Sequence, residues 1–78
     1  MPRFFFDIHD SDGFFRDDTG LELESMDVAV GIARRTLSDM VRDAFRAPEN
    51  TKFAVKIRAG SEGPVVLTVT LETRDEAD

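Results

Sequence analysis

The sequence has no cysteine, tryptophan or tyrosine, and only three prolines and five glycines among its 78 residues. Without cysteine there can be no disulfide and no thiolate zinc site, and a reducing compartment costs the chain nothing, so cytoplasm is the expected location. No apolar run approaches membrane-spanning length. The opening Met1-Pro2-Arg3-Phe4-Phe5-Phe6-Asp7 reaches an acid too soon for the apolar stretch of a signal peptide. The expectation is a chain neither inserted nor exported by that route. Positive charge is also scarce. Ten Lys and Arg against 16 Asp and Glu leave a net charge of −6, which repels phosphate backbones and anionic lipid. Nucleic acid is therefore a disfavoured partner, and no membrane partner is expected.

What is present suits a small folded protein. Hydrophobic residues make up 41% and charged residues 33%, a balance that separates the chain from disordered and fibrous sequences. At this length one domain is expected, with little stability to spare and no room for a separate catalytic lobe. The negative charge gathers at the ends. Residues 1–24 carry −5 and residues 65–78 carry −3, while 25–47 and 48–64 carry +1 each.

Phe4 to His9 alternate, with Phe4, Phe6 and Ile8 on one side and Phe5, Asp7 and His9 on the other, the period of a half-buried strand. Asp10-Ser11-Asp12-Gly13 supplies turn residues, and Phe14-Phe15-Arg16 can return as a short second strand. Asp17-Asp18-Thr19-Gly20 is a second turn signal. Leu21-Glu22-Leu23 after it reads as either a further strand piece or an extended approach to a helix.

Ser25 suits an N-cap, and Asp27 puts negative charge where the helix dipole favours it. Met26, Ala29, Val30, Ala33, Leu37, Met40, Val41 and Ala44 fall within an arc of about 120° on a helical wheel, while Arg34, Arg35, Ser38, Arg42 and Arg46 fall outside it. Pro48 should stop the helix after Ala47. The period returns to two from Lys52 to Arg58, with Phe53, Val55 and Ile57 on one side. After a Gly60–Pro64 loop, Val65 to Glu72 places Leu67, Val69 and Leu71 inward and Val66, Thr68, Thr70 and Glu72 outward.

Hairpin, helix, hairpin gives an α+β domain over residues 1–72, with an antiparallel sheet of about four strands and one helix on one face. Residues 73–78 form a frayed acidic tail. A helix that crosses the sheet from end to end brings the third strand beside the first, in the order 2-1-3-4, with 2-1-4-3 left open. Asp7 could then lie near Lys56 or Lys52, and Lys52 could face Glu72. The core is the inward strand residues, the helix stripe and Leu23.

Chemistry-bearing clusters are few. His9 with Asp7, Asp10 and Asp12 is the only group resembling metal ligands, and it is the site an acid/base or metal-dependent enzyme would use. Its spacing departs from a calcium loop, since Ile8 precedes Asp10 by two positions and Thr19 stands where the bidentate glutamate belongs. A turn-forming surface loop accounts for the same residues, so no metal, cofactor, catalytic residue or small-molecule ligand is assigned. Lys52, Lys56 and Arg58 share a strand face, and Arg34, Arg35, Arg42 and Arg46 line the polar side of the helix. A solvated surface explains both sets. More informative are the apolar residues left outside the core: Phe5 and Val66 on the open sheet face, Val28 and Ile32 on the helix flank, and one of Phe14 or Phe15. Gathered in one place they would meet a protein partner or a second copy, and an exposed edge strand offers another route to pairing.

Met1-Pro2-Arg3-Phe4-Phe5-Phe6-Asp7, Asp17-Asp18-Thr19-Gly20-Leu21-Glu22-Leu23 and Val66-Leu67-Thr68-Val69-Thr70 resemble a family of small bacterial proteins classed as a domain of unknown function, across almost the whole chain. Here Phe4 replaces the usual tyrosine, and Ala59-Gly60-Ser61-Glu62-Gly63 replaces an aspartate-glycine turn. The resemblance implies no activity and no site residue. A more distant similarity, to antitoxins of the HicB type, lies in early strands and a turn before a helix. Their Pro-Asp-x-Pro-Gly and Thr-x-Gly segments are missing, with Leu21-Glu22-Leu23-Glu24-Ser25 in their place.

Overall fold

Alternation and turn chemistry set the strands. A computed structural model describes residues 1–47 and 50–77. It shows β1 (Arg3–Asp10), β2 (Gly13–Phe15), β3 (Leu21–Glu22), helix α1 (Met26–Ala44), β4 (Thr51–Ala59) and β5 (Val65–Leu71). The protein is α+β, one helix against one antiparallel sheet. The strands run β2-β1-β4-β5, and β3 pairs with the other end of β1. The added strand is the Leu21-Glu22 piece that the sequence left undecided: it pairs Arg3 with Glu22 and Phe4 with Leu21. Register across the centre places Phe6 opposite Ile57, Ile8 opposite Val55 and Phe53 opposite Val69, so all six point to the same face.

Helix α1 covers that face. Ser25 has extended backbone and its hydroxyl accepts the Val28 N–H at 3.3 Å, filling the N-cap role its position suggests. Ala29, Ala33 and Leu37 are buried against Phe4, Phe53, Val55 and Ile57, and the small alanines let the helix sit close to the central strand β4. Phe6, Ile8, Leu23, Met26, Val30, Met40, Val41, Ala44, Leu67 and Val69 pack round this centre. Leu71, expected in the core, is only half-buried, at the end of the edge strand.

The helix ends earlier than its composition suggests. After Ala44 the backbone tightens, with Arg46 N–H donating to the Asp43 carbonyl at 3.2 Å and Ala47 N–H to Ala44 at 3.1 Å, which satisfies the last carbonyls by three-residue rather than four-residue steps. The stop expected at Pro48 lies outside the described residues, as does Asp78 of the tail. Residues 73–77 form neither helix nor strand, though Thr73 N–H donates to Asn50 Oδ1 at 2.8 Å.

Because Ala33 has no exposed surface and the helix is seated on alanine, Ala33→Leu should lower stability by about 1–3 kcal/mol through overpacking. Urea unfolding followed by circular dichroism would measure it.

Candidate functional site

The ionisable cluster lies on the sheet face away from the helix. Asp7 stands opposite Lys56, yet its carboxylate meets Arg58, two residues further along β4: Arg58 Nε donates to Oδ2 at 2.7 Å and Nη2 to Oδ1 at 3.0 Å. This corrects the expected pairing with Lys56 or Lys52. A planar guanidinium matches both carboxylate oxygens, whereas each lysine keeps its ammonium in water. Lys52 faces Thr70 rather than Glu72, and Glu72 pairs instead with Arg74 at 2.6 Å.

Asp7 is only 2% exposed because the chain after β2 folds over it. Asp17 N–H donates to Asp7 Oδ1 at 3.0 Å, and Arg58 Nη2 also donates to the Asp17 carbonyl at 2.8 Å. The Asp17 carboxylate then turns back on the backbone. Its Oδ1 accepts from Thr19 N–H (2.9 Å) and Gly20 N–H (3.0 Å), and its Oδ2 accepts from Phe6 N–H (3.0 Å). Gly20 takes φ +73°, and a Cβ there would meet Arg3 Cγ and the Phe5 ring at 2.9 Å, so only glycine lets the loop close on β1. The Arg58 guanidinium lies 4.9 Å from the centroid of the Phe5 ring.

The electrostatics follow from these donors. The hydrogen bond from Arg58, aided by the Asp17 N–H, holds the Asp7 carboxyl below its usual range despite burial. The Phe6 and Gly20 amides do the same for Asp17, and the hydrogen bond to Asp7 raises Arg58. Asp7 and Asp17 are thus ionised at neutral pH. Their oxygens are occupied in fixing the loop, so neither is poised to move a proton.

His9, Asp10 and Asp12 serve a turn. Asp10 Oδ1 accepts from Asp12 N–H (2.7 Å) and Gly13 N–H (3.1 Å), and the His9 ring stands edge-on to Phe14 with centroids 5.5 Å apart. Among the described residues no group of three or more His, Cys, Asp or Glu side chains is arranged to hold a metal ion. The cationic face loses Arg58 to Asp7, which leaves Lys52 and Lys56 exposed on their own.

The four apolar candidates are separated. Val66 stands out on the open face at 55% exposure, but Phe5 is half-buried beneath Arg58 and Gly20, so that end of the face is not bare as the sequence suggested. Val28 is exposed and Ile32 half-buried on the helix, on the opposite side of the sheet from Val66. Both Phe14 and Phe15 are exposed, where only one was expected. Phe15 opposes Ile8 and Leu21 opposes Phe4, so both lie on the helix side, beyond the helix's cover. Exposed Phe45 was missed because it follows the helix stripe by one position.

The two margins of the sheet differ. The outer edge of β1 is filled by β2 at Ile8–Asp10, by the Asp17 carboxylate at Phe6 and by β3 at Arg3 and Phe4. The outer edge of β5 is open among the described residues, and an open groove of about 420 Å³ beside it is lined by Arg34, Leu37, Ser38, Val41, Leu67, Thr68 and Val69.

A family model matches residues 3–77, almost the whole chain. The chain belongs to the family Domain of unknown function (DUF6894). No curated protein and no solved structure matches it. For this DUF6894 chain the geometry is therefore the main guide to function. No helix is long and apolar enough to cross a membrane among the described residues.

Asp17→Ala should cost about 2 kcal/mol, since it strips the acceptor from three backbone amides. Acid should act on the same bracket. Both carboxyls titrate below their unfolded values of about 3.9, so their stabilisation is complete at neutral pH and is lost as pH falls through the folded values. Urea midpoints should fall in acid for the wild type. Asp7→Asn should start less stable at neutral pH and show a shallower acid dependence.

Proposed function

We propose that this DUF6894 chain is a non-catalytic, cytoplasmic interaction or regulatory module that associates with a second copy of itself. The observation that carries the reading is the open outer edge of β5, an uncharged strand beside a groove lined by Leu37, Val41, Leu67 and Val69; the exposed Phe14, Phe15, Leu21, Val28, Phe45 and Val66 are spread over both faces. The ionisable groups support it from the other direction. The cluster with the least water, Asp7, Asp17 and Arg58, spends its hydrogen bonds on holding a loop. The absence of cysteine suits a reducing compartment.

The enzyme reading draws on His9, Asp10 and Asp12, but the Asp10 carboxylate is already engaged in its turn. Nucleic-acid binding and an antitoxin-like role would draw on exposed Lys52 and Lys56 of the open face and Arg34 and Arg35 of the helix, set against a net charge of −6.

Sedimentation equilibrium from micromolar to millimolar protein should show mass rising with concentration. A monomer throughout would refute self-association. In parallel, the His9 ring resonances should stay fixed during titration with divalent ions, and saturation at micromolar metal would support the enzyme reading instead.

A further inference from the structure

We infer that the second copy docks on β5, where two Val65–Leu71 strands pair antiparallel about a twofold axis at Thr68 and join the two sheets into one. This rests on the self-association reading and names its surface.

Folded proteins shield sheet margins with short strands, charges, proline or a covering segment. The β1 margin has such protection, with three-residue β2, two-residue β3 and the Asp17 bracket between them. Among the described residues the β5 margin has none. Val65-Val66-Leu67-Thr68-Val69-Thr70-Leu71 carries no charge and no proline over seven residues, in a chain with net charge −6. Two such chains repel at long range, and this neutral strand is where their backbones can meet without opposing like charges.

Sequence and face fix the register. Helix-side residues Val65, Leu67, Val69 and Leu71 can stay on the helix side across the joint only if paired positions have the same parity, which requires a residue-centred axis. An axis at Thr68 overlaps all seven residues. It pairs Val65 with Leu71, Val66 with Thr70, and Leu67 with Val69 of the other copy, with Thr68 facing its own mate. Glu72 then falls opposite Pro64, outside the ladder. Moving the axis toward the N-terminus brings Pro64, which lacks an N–H, into the pairing, and moving it toward the C-terminus brings in Glu72. With the axis perpendicular to the sheet, both helices lie on one face. The groove between α1 and β5 meets its counterpart there, and half-buried Leu67 and Val69 are covered.

The chain's lack of cysteine makes the test clean. Thr68 is exposed, so Thr68→Cys leaves the core untouched, and opposed Cβ atoms about 5 Å apart would let it oxidise readily to a covalent dimer. Thr70→Cys alone should resist, because its copies would lie about 14 Å apart, four residue steps along the strand. A mixture of Thr70→Cys and Val66→Cys should cross-link as the heterodimer. Thr68→Lys sets two ammonium groups face to face and should weaken dimerisation roughly tenfold or more, with an unchanged circular dichroism spectrum.

A wild-type monomer at every concentration would overturn this inference together with the reading beneath it. A dimer in which Thr68→Cys cross-links no faster than Thr70→Cys, or that survives Thr68→Lys, would overturn the β5 joint alone and assign self-association to another surface.

Discussion

A carboxylate almost without access to water persists only if charged and polar donors replace the water, and Asp7 meets that demand with Arg58 and the Asp17 amide. Much of the protein's outer face follows from this. To reach Asp7, Arg58 lies over Phe5 and takes that ring out of the exposed surface. To bring its N–H to Asp7, the loop after β2 folds back, and the Asp17 carboxylate then meets the one β1 amide that lies between β2 and β3. One ion pair thereby seals a margin of the sheet.

The fold was legible because its signals are periodic. Alternation in Phe4–His9 and Lys52–Arg58 named the strands and their inward faces, and the stripe from Met26 to Ala44 named the helix and the face it buries. The Asp7 bracket was less legible, because it joins residues 51 positions apart and depends on a diagonal reach rather than direct cross-strand opposition. One half of it was visible all the same. Asp10-x-x-Gly13 and Asp17-x-x-Gly20 are the same local device, an aspartate accepting the amides two and three residues on. What no local pattern could disclose is that the second oxygen of Asp17 would serve β1. Leu21 escaped for a related reason, as did the exposure of both Phe14 and Phe15 rather than one: where a single helix stops covering a sheet depends on how it is seated, not on the strands' own sequences.

The two margins of the sheet differ in what they present to a partner. A protein with both edges shielded would offer partners only side chains, whereas an open strand also offers hydrogen-bonding backbone and admits partners by shape and polarity together. The acidic ends repel anionic surfaces at long range, while β5 itself carries no charge.

The place of β4 in the chain also sets when the protein can exist. It is the central strand, held by β1 on one side and β5 on the other, and it supplies both the helix's main seat and the arginine that neutralises Asp7. Yet it begins only at Thr51. On a translating ribosome the residues before Thr51 therefore emerge with β1 lacking its central neighbour and Asp7 lacking Arg58, and both pairings wait for β4. The early strand and the helix thus gain their common seat only once β4 has been made.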